Sequence, residues 1–284
     1  TLMNILMIGA HPDDCDLRCS GLASLYARDG HRVKFLSMCD GSGGHHILNR
    51  DEIAARRWGE TREAAKVIGI EYDVWNIPDC EIVSDLRTRA RLVNYIREFR
   101  PDVIFCHRTN DYHADHRASG LLVQEASYLL IVPNYCPETA ALKRMPVIMF
   151  FYDGFKNPPF VPDIVIDTDD VVEDKFRMID KHVSQVYEWL PYTNGTLDQV
   201  PSGPEARYEW LHGDKITADT ADDEVIGMKG YSRRFALAAA LYRDKLIARY
   251  GEERGRRIRF AEAYALSEYG TQLTAETEKV LFPY

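Results

Sequence analysis

The sequence lacks the features that mark membrane-spanning and nucleic-acid-binding chains. None of its apolar runs approaches the ~18 residues that a membrane span needs. Lys and Arg total 35 against 44 Asp and Glu, a formal net charge of −9, so no basic excess favours nucleic acid or an anionic membrane as a partner. The six cysteines are scattered singly, without a C-x-x-C pair, which favours reduced thiols in a cytosolic protein.

The start of the chain also lacks a targeting pattern. Residues 1–4 show no basic segment or cleavage site and lead directly into a strand pattern, so we expect a cytoplasmic protein. The 284 residues are 45% apolar and 28% charged, which excludes disordered and low-complexity classes. No internal repeat and no linker divides them. We therefore expect one domain over residues 1–284.

Short apolar runs alternate with longer stretches of helical spacing. The predicted strands are 4–9, 33–39, 72–75, 102–106, 147–152 and 163–167. The predicted helices are 17–29, 52–68, 84–99 with Ser84 as its N-cap, 116–132, 170–186 and 232–250. This alternation predicts an α/β fold, a Rossmann-like, doubly wound, mostly parallel sheet. Residues 187–254 interrupt the rhythm and are expected to form an irregular insertion or lid.

Two polar clusters follow the first and fourth predicted strands. The first contains His11, Asp13 and Asp14, and the second spans residues 107–116. In a doubly wound sheet of order 3-2-1-4-5, strands 1 and 4 are neighbours at the switch point where ligands bind. We therefore expect the two clusters to face one another.

Imidazole and carboxylate groups are ligands that Zn²⁺ prefers, and a catalytic zinc site uses three of them plus water. The candidate ligands are His11, Asp13, Asp14, His113 and His116. Three of the five would bind metal, leaving a carboxylate and an imidazole for proton transfer. A metal lowers the pKa of bound water to ~7, which suggests hydrolysis of a carbonyl or phosphoryl bond. The alternative is structural, since a pair of aspartates after a strand can cap a helix.

The two clusters carry a resemblance to a known family. His11-Pro-Asp-Asp14 and His113-Ala-Asp-His116 resemble the PIG-L/LmbE-like family of metal-dependent de-N-acetylases, which act on N-acetylglucosamine derivatives. Segments 57–69, 167–185 and 261–264 resemble further parts of that family. The resemblance implies the hydrolysis of an acetamide on an N-acetylated amino sugar or its conjugate, releasing acetate and a free amine.

The resemblance also implies a role for individual residues. His11, Asp14 and His116 would hold Zn²⁺, with Fe²⁺ or another divalent metal as the alternative. The expected catalytic residues are Asp13 as general base, His113 as oxyanion stabiliser or proton donor to the amine, and Asp115 as the carboxylate that orients a histidine. The expected substrate contacts are Arg57, Asp79 and Asp111.

The sequence departs from the family pattern in the helix after the first strand. Cys15 stands where the family usually has Glu, and Arg18 and Ser20 replace small glycines, which leaves the helix packing open. In the late segment, aromatic side chains could form a sugar-stacking lid or a core for that segment: Trp189, Tyr192, Trp210 and His212. Residues 41–44 are expected to form a flexible active-site loop, with His45 and His46 solvated or reaching a substrate.

We expect a small-molecule amino-sugar substrate and neither a nucleic-acid nor a membrane partner. The apolar stripe at 238–246 is expected to be core or a contact between identical subunits. The rival hypotheses are a catalytically silent sugar-binding relative and a nucleotide-binding Rossmann-like protein. Nucleotide binding would need a Gly-rich turn after the first strand, where this chain has His-Pro-Asp-Asp.

Overall fold

The first strand, β1, is buried on both faces, and its alternating side chains enter two different cores. Ile5 and Met7 pack in one apolar cluster, while Leu6 and Ile8 pack in the other. Side chains on a strand alternate between the two faces of a sheet, so a continuous apolar run requires helices on both sides. The computed structural model, which describes residues 1–284, has this layered arrangement.

The elements follow the chain in an order close to the predicted one. The strands are β1 Asn4–Gly9, β2 Arg32–Cys39, β3 Glu71–Ile77, β4 Val103–Cys106, β5 Val147–Phe151, β6 Ile164–Asp167 and β7 Ala261–Leu266. The helices are α1 Asp14–Arg28, α2 Arg50–Ile68, α3 Leu86–Phe99, α4 Ala114–Leu129, α5 Val172–Asp180, α6 Leu190–Thr193, α7 Pro204–His212, α8 Asp222–Gly227, α9 Gly230–Leu241, α10 Arg243–Tyr250, α11 Glu252–Arg257 and α12 Ala275–Leu281. A π-helical turn, Gln185–Trp189, precedes α6.

The sheet has the order β3-β2-β1-β4-β5-β7-β6, which confirms the predicted α/β fold and the predicted neighbours β1 and β4. Strands β1 to β5 pair in parallel, and β7 pairs antiparallel with both β5 and β6. The sequence analysis missed β7 as a strand. Its alanines have little β-propensity, and its place between β5 and β6 depends on distant pairing.

The start of α3 and the end of α5 differ from their predicted positions. The N-cap of α3 is Asp85, not Ser84, because the Asp85 carboxylate accepts the backbone N–H of Thr88 at 2.7 Å. The predicted helix 170–186 ends at residue 180. Beyond it, the Ser184 backbone N–H and hydroxyl both donate to the buried Glu60 carboxylate, at 2.7 and 2.6 Å.

The late segment 187–254 packs on the sheet through apolar contacts. Leu211 and Phe235 join a cluster with Leu17 and Phe176, and Ala238 and Leu246 pack against β6 and β7. The 238–246 stripe is therefore core. The predicted helix 232–250 is divided at Tyr242 into α9 and α10. None of the helices has the length and hydropathy to cross a bilayer.

The close approach of α4 to the end of β4 depends on Gly120. A Cβ at this position would lie 2.4 Å from the His107 carbonyl oxygen, so we expect Gly120→Ala to lower the free energy of unfolding by about 1–3 kcal/mol. Gly59→Ala in α2, where no atom lies within 4 Å, is the control, and helix propensity predicts a gain of up to about 1 kcal/mol. Urea unfolding measures both. Equal stability of the two variants would contradict this packing account.

Candidate metal centre and active site

The two polar clusters lie side by side at the carboxyl ends of β1 and β4. The strands are in parallel register, with Ile5 opposite Val103 and Met7 opposite Phe105, so the loops that follow them meet at the same edge of the sheet. The structure thus brings together the side chains that the sequence analysis placed there.

Three side-chain atoms form a nearly equilateral triangle. His11 Nδ1 lies 3.2 Å from His116 Nε2, and Asp14 Oδ2 lies 3.3 Å from each of these nitrogens. Ligand atoms that hold zinc tetrahedrally at ~2.05 Å lie about 3.3 Å from one another. The triangle therefore fits one metal ion with an open fourth position.

His11 is held and polarised by carboxylates. Its Nε2 lies 2.9 Å from Asp115 Oδ2 and 3.2 Å from Asp79 Oδ1, so the ring offers Nδ1 to the triangle. Burial alone lowers the pKa of this imidazole, but hydrogen bonds to Asp115, Asp14 and Asp79 outweigh burial and raise the pKa well above its usual value. The carboxylates of Asp14, Asp79 and Asp115 thus surround His11, and a bound cation would offset their negative charge.

His116 has its own carboxylate partner. Asp111 Oδ1 lies 3.0 Å from His116 Nδ1 and also accepts the backbone N–H of His113 at 3.0 Å. Burial lowers the pKa of His116, but Asp14 and Asp111 raise it to about 9. A carboxylate behind each ligand imidazole fixes its orientation and tautomer, as is usual for metal-bound histidines.

Asp111 therefore lies behind a ligand and is not among the residues that line the cavity, and its role as a substrate contact stays a prediction. Asp115 is fully buried and also accepts the backbone N–H groups of Cys80 and Ile82, so it orients His11. Asp79 does line the cavity.

His107 supports the site and was missed as a site residue. Its ring stacks on His116 with a centroid separation of 4.0 Å, and its Nε2 accepts the backbone N–H of Ala10 at 3.2 Å. Burial and the neighbouring His116 lower the pKa of His107 to about 4, which keeps this ring neutral. In the sequence, only its position directly after β4 indicated that His107 could lie at the site.

Asp13 occupies the N-cap position of α1 but makes no capping hydrogen bond. Its Oδ1 instead lies 3.2 Å from Arg57 Nη2, and Arg57 donates to the Gly41 carbonyl at 3.2 Å. Both side chains line the cavity beside the triangle, and neither supplies an atom to it. Helix capping thus does not account for Asp13.

His113 is the N-cap of α4. Its Nδ1 accepts the backbone N–H of Asp115 at 3.0 Å, so the neutral ring carries its proton on Nε2. Burial, together with His11 and His116, lowers the pKa of His113. The ring is partly exposed to the cavity and can donate a hydrogen bond there.

The triangle lines a cavity of about 240 Å³. Other walls come from the loop glycines Gly43 and Gly44 and from Gln185, Trp189 and Leu190 of the late segment. Trp189 is thus placed to contact a ligand. Of the other late aromatics, Tyr192 stacks on His46 at 4.1 Å, whereas Trp210 and His212 pack on neighbouring aromatic rings.

His45 and Cys15 both contact protein groups in the interior. His45 is not solvated, because its side chain is buried and its Nε2 lies 2.9 Å from Glu188 Oε1. The Cys15 thiol donates to the Met7 carbonyl at 3.4 Å within the apolar core, so it is not a ligand of the triangle.

Comparison with known proteins identifies relatives. Residues 6–127 match the PIG-L family model, described as GlcNAc-PI de-N-acetylase. Diacetylchitobiose deacetylase of Thermococcus kodakarensis is 28% identical over 66% of this chain and 74% of that protein. A 4-oxalmesaconate hydratase of Pseudomonas putida is 24% identical over 68% of this chain and 78% of that protein.

A solved structure shares the fold. The N,N'-diacetylchitobiose deacetylase of Pyrococcus horikoshii superposes with a TM-score of 0.66 and 21% identity, over 93% of this chain and 83% of that one. The matched residues 6–127 include every atom of the triangle. The family match thus covers residues 6–127, and the similarity to the solved structure shows a shared fold over most of the chain.

Proposed function

We propose that this protein hydrolyses the acetamide of an N-acetylated amino sugar or its conjugate, releasing acetate and a free amine. The observation that carries the proposal is the convergence, in one cavity, of the ligand triangle, the Asp13 carboxylate and the His113 N–H donor. The diacetylchitobiose deacetylase and the PIG-L family description support the choice of an N-acetyl sugar.

His11, Asp14 and His116 would hold the metal, and their two nitrogens and one oxygen suit Zn²⁺, with Fe²⁺ as the second candidate. A bound divalent cation supplies Lewis acidity, which polarises a carbonyl group and acidifies water. Asp14 contributes one oxygen to the triangle, and the Asp13 carboxylate beside it is left to act on a proton.

Asp13 is positioned as the general base. Arg57 holds its carboxylate at 3.2 Å, which fixes it at the cavity wall. Asp13 would accept a proton from water as the water oxygen adds to the acetamide carbon. The same carboxyl group then returns the proton to the departing nitrogen as the C–N bond breaks, giving acetate and amine.

His113 is positioned to stabilise negative charge on the carbonyl oxygen. Its Nδ1 is engaged by the helix N-terminus, so Nε2 carries the proton and can donate to the oxyanion. The lowered pKa of His113 supports this hydrogen-bonding role over a role as the acid that protonates the amine. Arg57, Asp79 and Trp189 line the same cavity and are the proposed substrate contacts.

Asp115→Asn tests the carboxylate behind His11. Loss of the charge that orients Nε2 is expected to weaken metal affinity about 10–100-fold, with a smaller change in kcat at saturating metal. Metal titration against a competing chelator measures the affinity. Asp198→Asn, which removes an exposed carboxylate, is the control. Unchanged metal affinity in Asp115→Asn would contradict the positioning role.

A second candidate is the addition of water to a carbon–carbon double bond, because the 4-oxalmesaconate hydratase is related over a comparable length. One experiment separates the two functions. The metal-loaded protein is incubated with N-acetylated amino sugars, to detect acetate, and with 4-oxalmesaconate, to follow loss of its conjugated absorbance. The proposal expects acetate and no hydration. Hydration without acetate would replace it.

A further inference from the structure

Two arginines line the metal cavity without a carboxylate partner. Arg18 comes from α1 and Arg234 from α9, and neither forms an ion pair. Arg18 Nη1 donates to the Tyr152 carbonyl at 2.7 Å, while its buried Nε makes no hydrogen bond. Arg234 is exposed and makes no hydrogen bond within the protein.

The nearby carboxylates are engaged elsewhere. Asp153 receives two hydrogen bonds from Arg108, at 2.7 and 2.5 Å. Glu262 lies 2.6 Å from Lys175 Nζ and also accepts the backbone N–H groups of Gly21 and Leu22. Asp13 and Asp14 line the same cavity and act on Arg234 at longer range, but Asp13 is paired with Arg57 and Asp14 with His116, so neither forms an ion pair with Arg18 or Arg234.

The two guanidinium groups influence one another. Arg234 keeps an exposed surface, but the protein groups around its guanidinium group displace solvent, and this desolvation and the charge of Arg18 both lower its pKa. Two positive charges that lie close together without a counter-ion raise the electrostatic free energy of the protein, and an anion bound between them lowers it. Guanidinium groups bind carboxylate and phosphate through paired hydrogen bonds.

Arg234 also stands between two cavities. The metal cavity and a neighbouring cavity of about 520 Å³ share Leu190 and Arg234. Arg234 therefore lies at the side of the metal cavity that borders this second cavity.

We propose that Arg18 and Arg234 bind an anionic group, a carboxylate or a phosphate, carried by the substrate. This inference rests on the proposed function and narrows its substrate to anionic N-acetyl amino sugars or conjugates. A neutral sugar would leave both guanidinium groups without a partner in the complex.

The test compares kcat/KM for N-acetylglucosamine, N-acetylglucosamine 6-phosphate and N-acetylmuramic acid, the last two being phosphate and carboxylate probes. The wild-type protein is expected to prefer at least one anionic probe by about tenfold or more. Arg18→Gln and Arg234→Gln are each expected to lower that preference about tenfold or more, the loss of one charge-assisted hydrogen bond. Arg233→Gln, next to Arg234 but outside the cavity wall, is expected to keep the preference.

Binding of inorganic phosphate to the metal-loaded protein, measured by calorimetry, separates this inference from the proposed function. If no probe releases acetate but Arg234→Gln weakens phosphate binding tenfold, the hydrolase proposal fails and the anion site stands. If acetate is released without anionic preference, or if phosphate binds the wild-type and Arg234→Gln proteins equally, the anion site is overturned.

Discussion

Replacement of Asp13 by Asn is expected to lower kcat for acetate release about 10²–10⁴-fold while the protein keeps its metal. An amide cannot take the proton that a general base removes, and positioned bases contribute an effect of this size. Asp13 supplies no atom to the ligand triangle, so metal content should stay near that of the wild-type protein. Steady-state kinetics and metal analysis on the same preparation measure both quantities.

The design distinguishes a base from a ligand. Asn keeps the shape of Asp and can still contact Arg57, so the cavity wall should persist. Asp198→Asn controls for loss of one exposed negative charge outside the wall of the metal cavity. A variant at Asp13 that retained a third or more of kcat would place the base elsewhere, and loss of metal would make Asp13 a ligand.

Replacement of His116 by Ala is expected to abolish metal binding and to lower activity more than 10³-fold. The triangle would keep only two of its three atoms, and the Asp14 carboxylate would lose one of its imidazole partners. Metal analysis after dialysis and acetate release at saturating substrate measure the two effects.

Chelation provides the matching experiment on the unaltered chain. Removal of metal from the wild-type protein should eliminate acetate release, and added Zn²⁺ or Fe²⁺ should restore it, whereas neither ion should restore His116→Ala. His31→Ala, which removes an imidazole far from the triangle, should keep both metal and activity. Full activity of chelator-treated wild-type protein would contradict the metal requirement.

Much of the fold could be predicted from local pattern. The continuous apolar runs of β1, β2 and β4 signal strands buried on both faces, and their order follows from the right-handed strand–helix–strand connection. Ligand sites form at the switch point of such a sheet. The predicted adjacency of β1 and β4 therefore placed His11 and His116 in one site from the sequence alone, and the structure pairs these two strands.

The remaining features depend on contacts between distant residues. Asp79 and Asp111 both follow strands in polar loops, yet Asp79 lines the cavity and Asp111 turns behind His116. The spacing of residues in the sequence does not determine whether such a side chain points into the cavity or away from it. For the same reason β7 was missed, since its pairing requires a return from a point more than ninety residues beyond β6.

The local sequence pattern also did not predict that Arg234 lines the cavity. It lies in the predicted helix 232–250, and only the packing of α9 on the sheet brings it beside Arg18. In the sequence, Arg18 was notable only because an arginine replaces a small glycine of the family pattern. The structure places its side chain at the wall of the metal cavity.

One metal ion, held by His11, Asp14 and His116, is proposed to support hydrolysis of an acetamide in this cavity. The test is the release of acetate and free amine from a panel of N-acetylated amino sugars by protein of known metal content. We expect equal amounts of acetate and amine, at a rate proportional to bound metal up to one ion per chain. Fully metal-loaded protein that released no acetate from any member of the panel would contradict this proposal.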